Sequence, residues 1–198
     1  VTFNDTFFKF YTDPTRYERT GQNNARALLY DNKNRLWIAC KDKTIAIYDN
    51  SHNFLGYLHF DGSVSMQPDT SLGMAYAITQ DKSGTIWIGT KGNGLIEVQP
   101  GHSSLHFLLK QYKYSVEDIY SLSHNDIYAV CEDAVGRIWI ATFGGEVNYM
   151  EQIEGKTRFI NYRNKLKKFP IPLCYRTRDL ASDGNGRIWI ATSNGLLA

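Results

Sequence analysis

Asp81-Lys82-Ser83-Gly84-Thr85-Ile86-Trp87-Ile88-Gly89-Thr90 is one copy of a phrase that occurs four times in this chain. The others are Asp31-Asn32-Lys33-Asn34-Arg35-Leu36-Trp37-Ile38-Ala39-Cys40, Asp133-Ala134-Val135-Gly136-Arg137-Ile138-Trp139-Ile140-Ala141-Thr142 and Asp183-Gly184-Asn185-Gly186-Arg187-Ile188-Trp189-Ile190-Ala191-Thr192. The shared pattern is D-x-x-[GN]-x-[IL]-W-I-[AG]-[TC], and its tryptophans stand 50, 52 and 50 residues apart. A period near 50 residues points to a solenoid, a propeller or an array.

Each phrase reads as a tight hairpin turn running into a strand. The Asp side chain can accept backbone N–H groups of the turn, and Gly84, Gly136 and Gly186 can take positive φ. Asn34 replaces Gly in the first copy, and Asn is the next most tolerant residue of that region. Apolar runs precede each turn, such as Tyr76-Ala77-Ile78-Thr79 and Tyr128-Ala129-Val130-Cys131. The Trp-containing runs after it are apolar on both faces and predict burial on both. A second turn follows, around Lys91-Gly92-Asn93-Gly94, Phe143-Gly144-Gly145 and Ser193-Asn194-Gly195, and then two further strands.

No stretch carries a helical stripe. Residues 114–122 and 163–169 read as loops. Four short antiparallel strands per ~50 residues is a β-propeller blade, so the fold class is all-β with about four blades. The blades fall at 24–62, 73–112 and 122–163, with a truncated one at 175–198. Residues 1–20 carry the strand Phe7-Phe8-Lys9-Phe10-Tyr11, read as the last strand of a preceding blade. Both ends then cut through a blade, and a piece of a larger ring, pairing with a second copy, or closure of 7–11 against 195–197 are the three ways to cover the exposed edge.

The composition is that of a globular chain. There are 198 residues, 42% hydrophobic and 21% charged, with a net charge of +2, which gives no general attraction to nucleic acid. No apolar run reaches membrane-spanning length, and Val1-Thr2-Phe3-Asn4-Asp5 has no signal-peptide character, so no direct membrane insertion is expected. Three cysteines at uneven spacing make no disulfide framework, and Cys40, Cys131 and Cys174 read as small buried hydrophobes.

The phrase, followed by G-[LV], resembles the two-component-regulator propeller repeat, found in the periplasmic sensor region of hybrid histidine kinases of Bacteroidetes. Leu122-Ser123-His124-Asn125-Asp126-Ile127 also resembles that repeat's L-S-x-N-x-V lead-in. Cys40 stands where the family has Thr, Thr44 where Gly is expected, and Glu146 in place of the usual Leu after Gly145. The resemblance implies a seven-bladed ring ahead of a β-sandwich, a membrane helix and a kinase core. It also implies a periplasmic location and glycan ligands.

Candidate sites divide into structural and binding ones. Asp31, Asp81, Asp133 and Asp183 sit in equivalent turns one blade apart, so they do not converge on one point and read as turn caps. Trp37, Trp87, Trp139 and Trp189 read as packing between blades. The turn differs from the sialidase Asp-box S-x-D-x-G-x-x-W, because here the Asp lies three residues before the Gly. His102 and His106 have helical zinc spacing but run into a strand, where residues four apart lie too far from each other. No catalytic residue, metal or cofactor is assigned.

Binding residues follow from register. Arg26, Tyr76, Tyr128 and Arg178 lie five residues before the turn aspartates, where the innermost strand of each blade begins. They predict a ring at one rim of the central channel, joined by Lys91, Asn93 and Phe143 from the second turns. Arg and Tyr can hydrogen-bond and stack on a polar or anionic sugar. The expected function is ligand sensing and signal transduction toward a membrane helix. Its partners are an oligosaccharide or other small molecule, the remaining blades, and a possible second copy. A propeller glycosidase or lyase and a protein–protein scaffold are the alternatives.

Overall fold

The computed structural model describes residues 2–4, 7–9, 24–168, 170 and 176–198. Strands β1 (Thr2–Asn4) and β2 (Phe7–Lys9) form a hairpin of their own. The first blade contains β3 (Ala25–Tyr30), β4 (Leu36–Cys40), β5 (Ile45–Tyr48), β6 (Phe54–Leu58) and a short edge strand β7 (Val64–Ser65). The second contains β8 (Ala75–Gln80), β9 (Ile86–Thr90), β10 (Leu95–Pro100) and β11 (Phe107–Tyr112). The third contains β12 (Ile127–Glu132), β13 (Ile138–Thr142), β14 (Val147–Ile153) and β15 (Lys156–Ile160). The fourth contains β16 (Thr177–Ser182), β17 (Ile188–Thr192) and β18 (Gly195–Leu197).

Every blade pairs its strands antiparallel in sequence order, which is the meander read from the repeat. The fifth strand β7 was not legible there. The segment expected as a lone fourth strand at 7–11 pairs, over its described residues, with β1, and no ladder joins it to β18 among the described residues. Innermost strands β3, β8, β12 and β16 pack side by side in that order. The turns behave as predicted, with Asn34 at φ 59°, Gly84 at 91°, Gly136 at 85° and Gly186 at 99°.

Blade-to-blade packing follows from the two-faced burial of the Trp strands. Trp37 sits in one cluster with Ile78, Ile86, Ile88 and Ile96 of the next blade. Trp87 packs with Ile127, Val130 and Ile140, and Trp139 packs against a cluster holding Leu180, Ile188 and Ile190. Each of these three tryptophans therefore packs against the blade that follows it. Trp37 and Trp87 are 0% and 5% exposed, whereas Trp189 is 37% exposed. The expectation that all four are interior holds for Trp37 and Trp87, while Trp139 is half-buried and Trp189 is exposed, with no blade beyond it among the described residues.

A polar latch also joins neighbouring blades, and periodicity alone did not reveal it. The residue after the turn Asp donates its N–H to the side chain just before the next blade's turn Asp. Asn32 N–H reaches Gln80 Oε1 at 2.7 Å, and Lys82 N–H reaches Glu132 Oε2 at 2.8 Å. At the third junction that position is Ser182, which is too short and instead accepts Gly184 N–H at 3.4 Å within its own turn. Ser182→Gln is expected to complete the series and raise stability by about 0.5–1 kcal/mol. A urea midpoint unmoved by the substitution would count against the latch.

Candidate functional site

The four predicted rim positions share a backbone feature. Ala25 pairs with Cys40 and Ala27 with Ala39, so Arg26 is skipped by the ladder. Tyr76, Tyr128 and Arg178 are skipped in the same way, between Ala75 and Ala77, Ile127 and Ala129, and Thr177 and Asp179. Each is the extra residue of a β-bulge, a device that interrupts strand alternation and re-aims a side chain. Sequence register found the positions but carried no signal for the bulge.

These bulged side chains form one row. The Arg26 guanidinium lies 5.3 Å from the Tyr76 ring centre. Tyr76 stacks on Tyr128 at 4.7 Å and 10°, and Tyr128 stacks on Phe143 at 5.1 Å and 25°. Arg178 covers Tyr128 and Phe143 at 5.8 and 4.9 Å, and Arg176 approaches Phe143 at 5.3 Å. The tyrosines and Phe143 are half-buried, while the arginines are exposed. Burial, then the neighbouring Tyr76, pushes the Tyr128 phenol upward from its ordinary value.

The ring faces are consequently occupied by one another. A sugar cannot stack between rings 4.7 Å apart, so the expected stacking platform corrects to an array of edges: phenol O–H, aromatic C–H and guanidinium N–H.

The second-turn residues divide. Phe143 joins the row. The Asn93 side chain turns back, donating to the Ser71 and Leu72 carbonyls at 3.2 Å each, and Lys91 is exposed with its N–H on the Met74 carbonyl. Register also realigns the third blade. Ala141 pairs with Val147 as Gly89 pairs with Leu95, so Glu146 stands where Gly94 does, not in the Leu position. Thr142 N–H bonds the Glu146 carbonyl as Thr90 N–H bonds that of Gly94. Glu146 adopts φ 59° against 75° for Gly94. Its side chain is 2% exposed and its Oε2 has no hydrogen-bond partner. Burial pushes the carboxyl up to about 7.

The opposite rim is structural. Asp133 Oδ1 accepts the N–H groups of Val135 and Arg137, and its Oδ2 accepts the Trp139 indole N–H at 2.9 Å and Arg137 Nε at 2.7 Å. Asp31 repeats this set with Lys33, Arg35 and Trp37, and Asp81 binds the indole N–H of Trp87. The Asp thus caps its turn and satisfies the buried Trp that follows six residues later, which joins two roles the sequence suggested separately. Burial alone would raise the Asp133 carboxyl, but the bonds from Trp139 and Arg137 outweigh it and hold it at about 2.

Beside these turns a groove of about 520 Å³ opens between the second and third blades, lined by Asp81, Trp87, Glu97, Arg137 and Gln152. His102 and His106 differ from expectation, because a turn at 102–105 brings their rings to 4.2 Å. Among the described residues no group of three His, Cys, Asp or Glu could hold a metal. Cys40 is buried and Cys131 half-buried, its thiol pushed up to about 11 by burial, while Cys174 lies outside the described residues.

Four radially packed antiparallel sheets define a β-propeller architecture. Residues 71–92 and 121–144, within and just ahead of the second and third blades, match the two component regulator propeller family. None of the curated proteins matches the chain. Among solved structures it is similar to the extracellular domain of the hybrid two component system BT3049 from B. thetaiotaomicron, with TM-score 0.65 and 23% identity over 88% of this chain and 21% of that one. A second B. thetaiotaomicron extracellular domain, that of BT4673, gives TM-score 0.59 and 23% identity over 88% and 22%. Virginiamycin B lyase from Staphylococcus aureus gives 0.57 and 15% over 88% and 54%. The chain spans about a fifth of the two extracellular domains. Among the described residues no helix is long and apolar enough to cross a membrane.

Proposed function

We propose that this chain is a ligand-sensing segment of the extracytoplasmic, periplasmic part of a hybrid two-component sensor, and that it works by binding without chemistry. The observation that carries this is the Arg26–Tyr76–Tyr128–Phe143–Arg178 row, built from one bulge residue of each blade plus Phe143 of the turn after β13. The ligand is an oligosaccharide. The parent protein is a histidine kinase with a phosphorelay, reached through a membrane helix outside this chain.

Row residues come from different blades, so a ligand bridging them favours one inter-blade arrangement over another. Only such differential affinity can pass a signal onward. The junction between third and fourth blades lacks the Gln/Glu latch and is bridged instead between Phe143 and Arg176.

The test is calorimetric titration of the chain with a panel of plant and host oligosaccharides, with products followed chromatographically. Binding without turnover, lost in Tyr76→Ala and Tyr128→Ala, is the expected result. Sustained hydrolysis or elimination would make the segment an enzyme. A protein partner recovered with no glycan bound would make it a scaffold.

A further inference from the structure

Two arginines at the turn-side rim combine an aromatic ring with a carboxylate, whereas Arg158 over Tyr120 and Arg163 over Tyr114 have no carboxylate among the described residues. Arg35 lies 5.7 Å from the Trp37 ring centre and Arg137 lies 5.7 Å from that of Trp139. Both also donate Nε to a carboxylate at 2.7 Å, Asp31 and Asp133 respectively. Ring and carboxylate together satisfy the guanidinium, the ring through its face and the carboxylate through the N–H edge.

Arg26 and Arg178 have the first half of that arrangement only. Each lies over a ring, and among the described residues neither has a carboxylate or any hydrogen-bond acceptor. Both residues are exposed, and among the described residues nothing pairs with their N–H edges. The rings between them present edges, where the aromatic quadrupole is positive, and Tyr76 and Tyr128 add phenol donors. The whole row therefore offers positive edges and donors to whatever lies across it. Acidic groups are near: Asp126 acts on Tyr128, and Asp179 follows Arg178 but spends one oxygen on the Leu180 N–H at 2.9 Å.

We infer that the rim row takes an acidic oligosaccharide, whose carboxylates or sulfates supply the partners that Asp31 and Asp133 supply to Arg35 and Arg137. Two acidic groups, one at each end of the row, bind Arg26 and Arg178. Sugar hydroxyls between them accept from the tyrosine phenols. This rests on the reading of the chain as a glycan sensor and names the glycan's chemical class. A carboxylate and a sulfate both match the guanidinium fork, so the shared requirement is a fixed anion on a saccharide.

The test uses the whole chain on an array of uronate-containing, sulfated and neutral oligosaccharides, plus a poly-glutamate peptide, followed by titration with the strongest binder. Acidic saccharides are expected to bind, with the uronate and sulfate arms showing which anion is preferred. Affinity should fall by about tenfold or more in Arg26→Gln or Arg178→Gln, as expected for loss of a charge-assisted bond. Arg178→Lys should restore only part of it, because an ammonium lacks the bidentate fork. These arginines are exposed, so unchanged melting of the variants is the check that they remain folded. Binding of neutral saccharides alone would overturn the acidic ligand while leaving glycan sensing in place. Binding of nothing on the array would overturn both. Capture of the acidic peptide in preference to every saccharide would turn the site over to a protein partner.

Discussion

Trp37→Ala is expected to cost about 3–5 kcal/mol of stability, whereas Trp189→Ala should cost less than about 1 kcal/mol. The two residues occupy the same place in the same phrase, so propensity and turn chemistry do not distinguish them. Burial does. Trp37 is fully enclosed, meets Phe107 edge to face at 5.1 Å, and donates its indole N–H to Asp31 at 2.8 Å. Removing it opens a cavity between two blades and takes one bond from a buried carboxylate. Trp189 is 37% exposed and Asp183 is exposed. Urea denaturation of both variants measures the contrast. Equal losses would mean that blade-to-blade packing is not what the tryptophans contribute.

Glu146→Met is expected to stabilise the chain by about 3 kcal/mol at pH 8 and to change it little at pH 4. The Glu146 carboxyl is raised from 4.5 to about 7 by burial, and each tenfold change in proton affinity corresponds to about 1.4 kcal/mol. The folded chain therefore holds a proton that the unfolded chain releases first. Below pH ~4.5 both states are protonated and nothing is lost. As pH rises through ~7 the folded state must bury a charge, and stability falls across that window. Met keeps the length of Glu without the charge and leaves the positive φ unchanged, so the pH slope should vanish with the substitution. Chemical denaturation from pH 4 to 8 reads both curves, and parallel curves would show that Glu146 does not titrate in this window.

The architecture was legible because the D-x-x-G-x-x-W phrase contains its own turn, strand and spacing. Strand order and the alignment of Arg26, Tyr76, Tyr128 and Arg178 at equivalent places in the four blades followed from counting. What counting could not supply was geometry across the repeat. The bulge at Arg26, Tyr76, Tyr128 and Arg178 breaks the two-residue alternation on which sequence reading depends, and only the skipped ladder pairs expose it. That bulge sets the rings face to face and turns an expected stacking surface into an edge. The Gln80 and Glu132 latches were equally hidden, since an exposed polar residue before a turn carries no periodic signal. Glu146 was visible as a departure but assigned to the wrong position, because Phe143-Gly144-Gly145 offers two glycines to align.

The proposed binding site is the bulged inner-strand rim, not the turn-side groove beside Asp81 and Arg137. Hydrogen–deuterium exchange of the chain, with and without a saturating oligosaccharide binder, tests it directly. Protection concentrated at residues 25–27, 75–77, 127–129, 143–146 and 177–179 is the predicted result. Protection confined to the D-x-x-G turns and the 150–153 edge of the groove would contradict it.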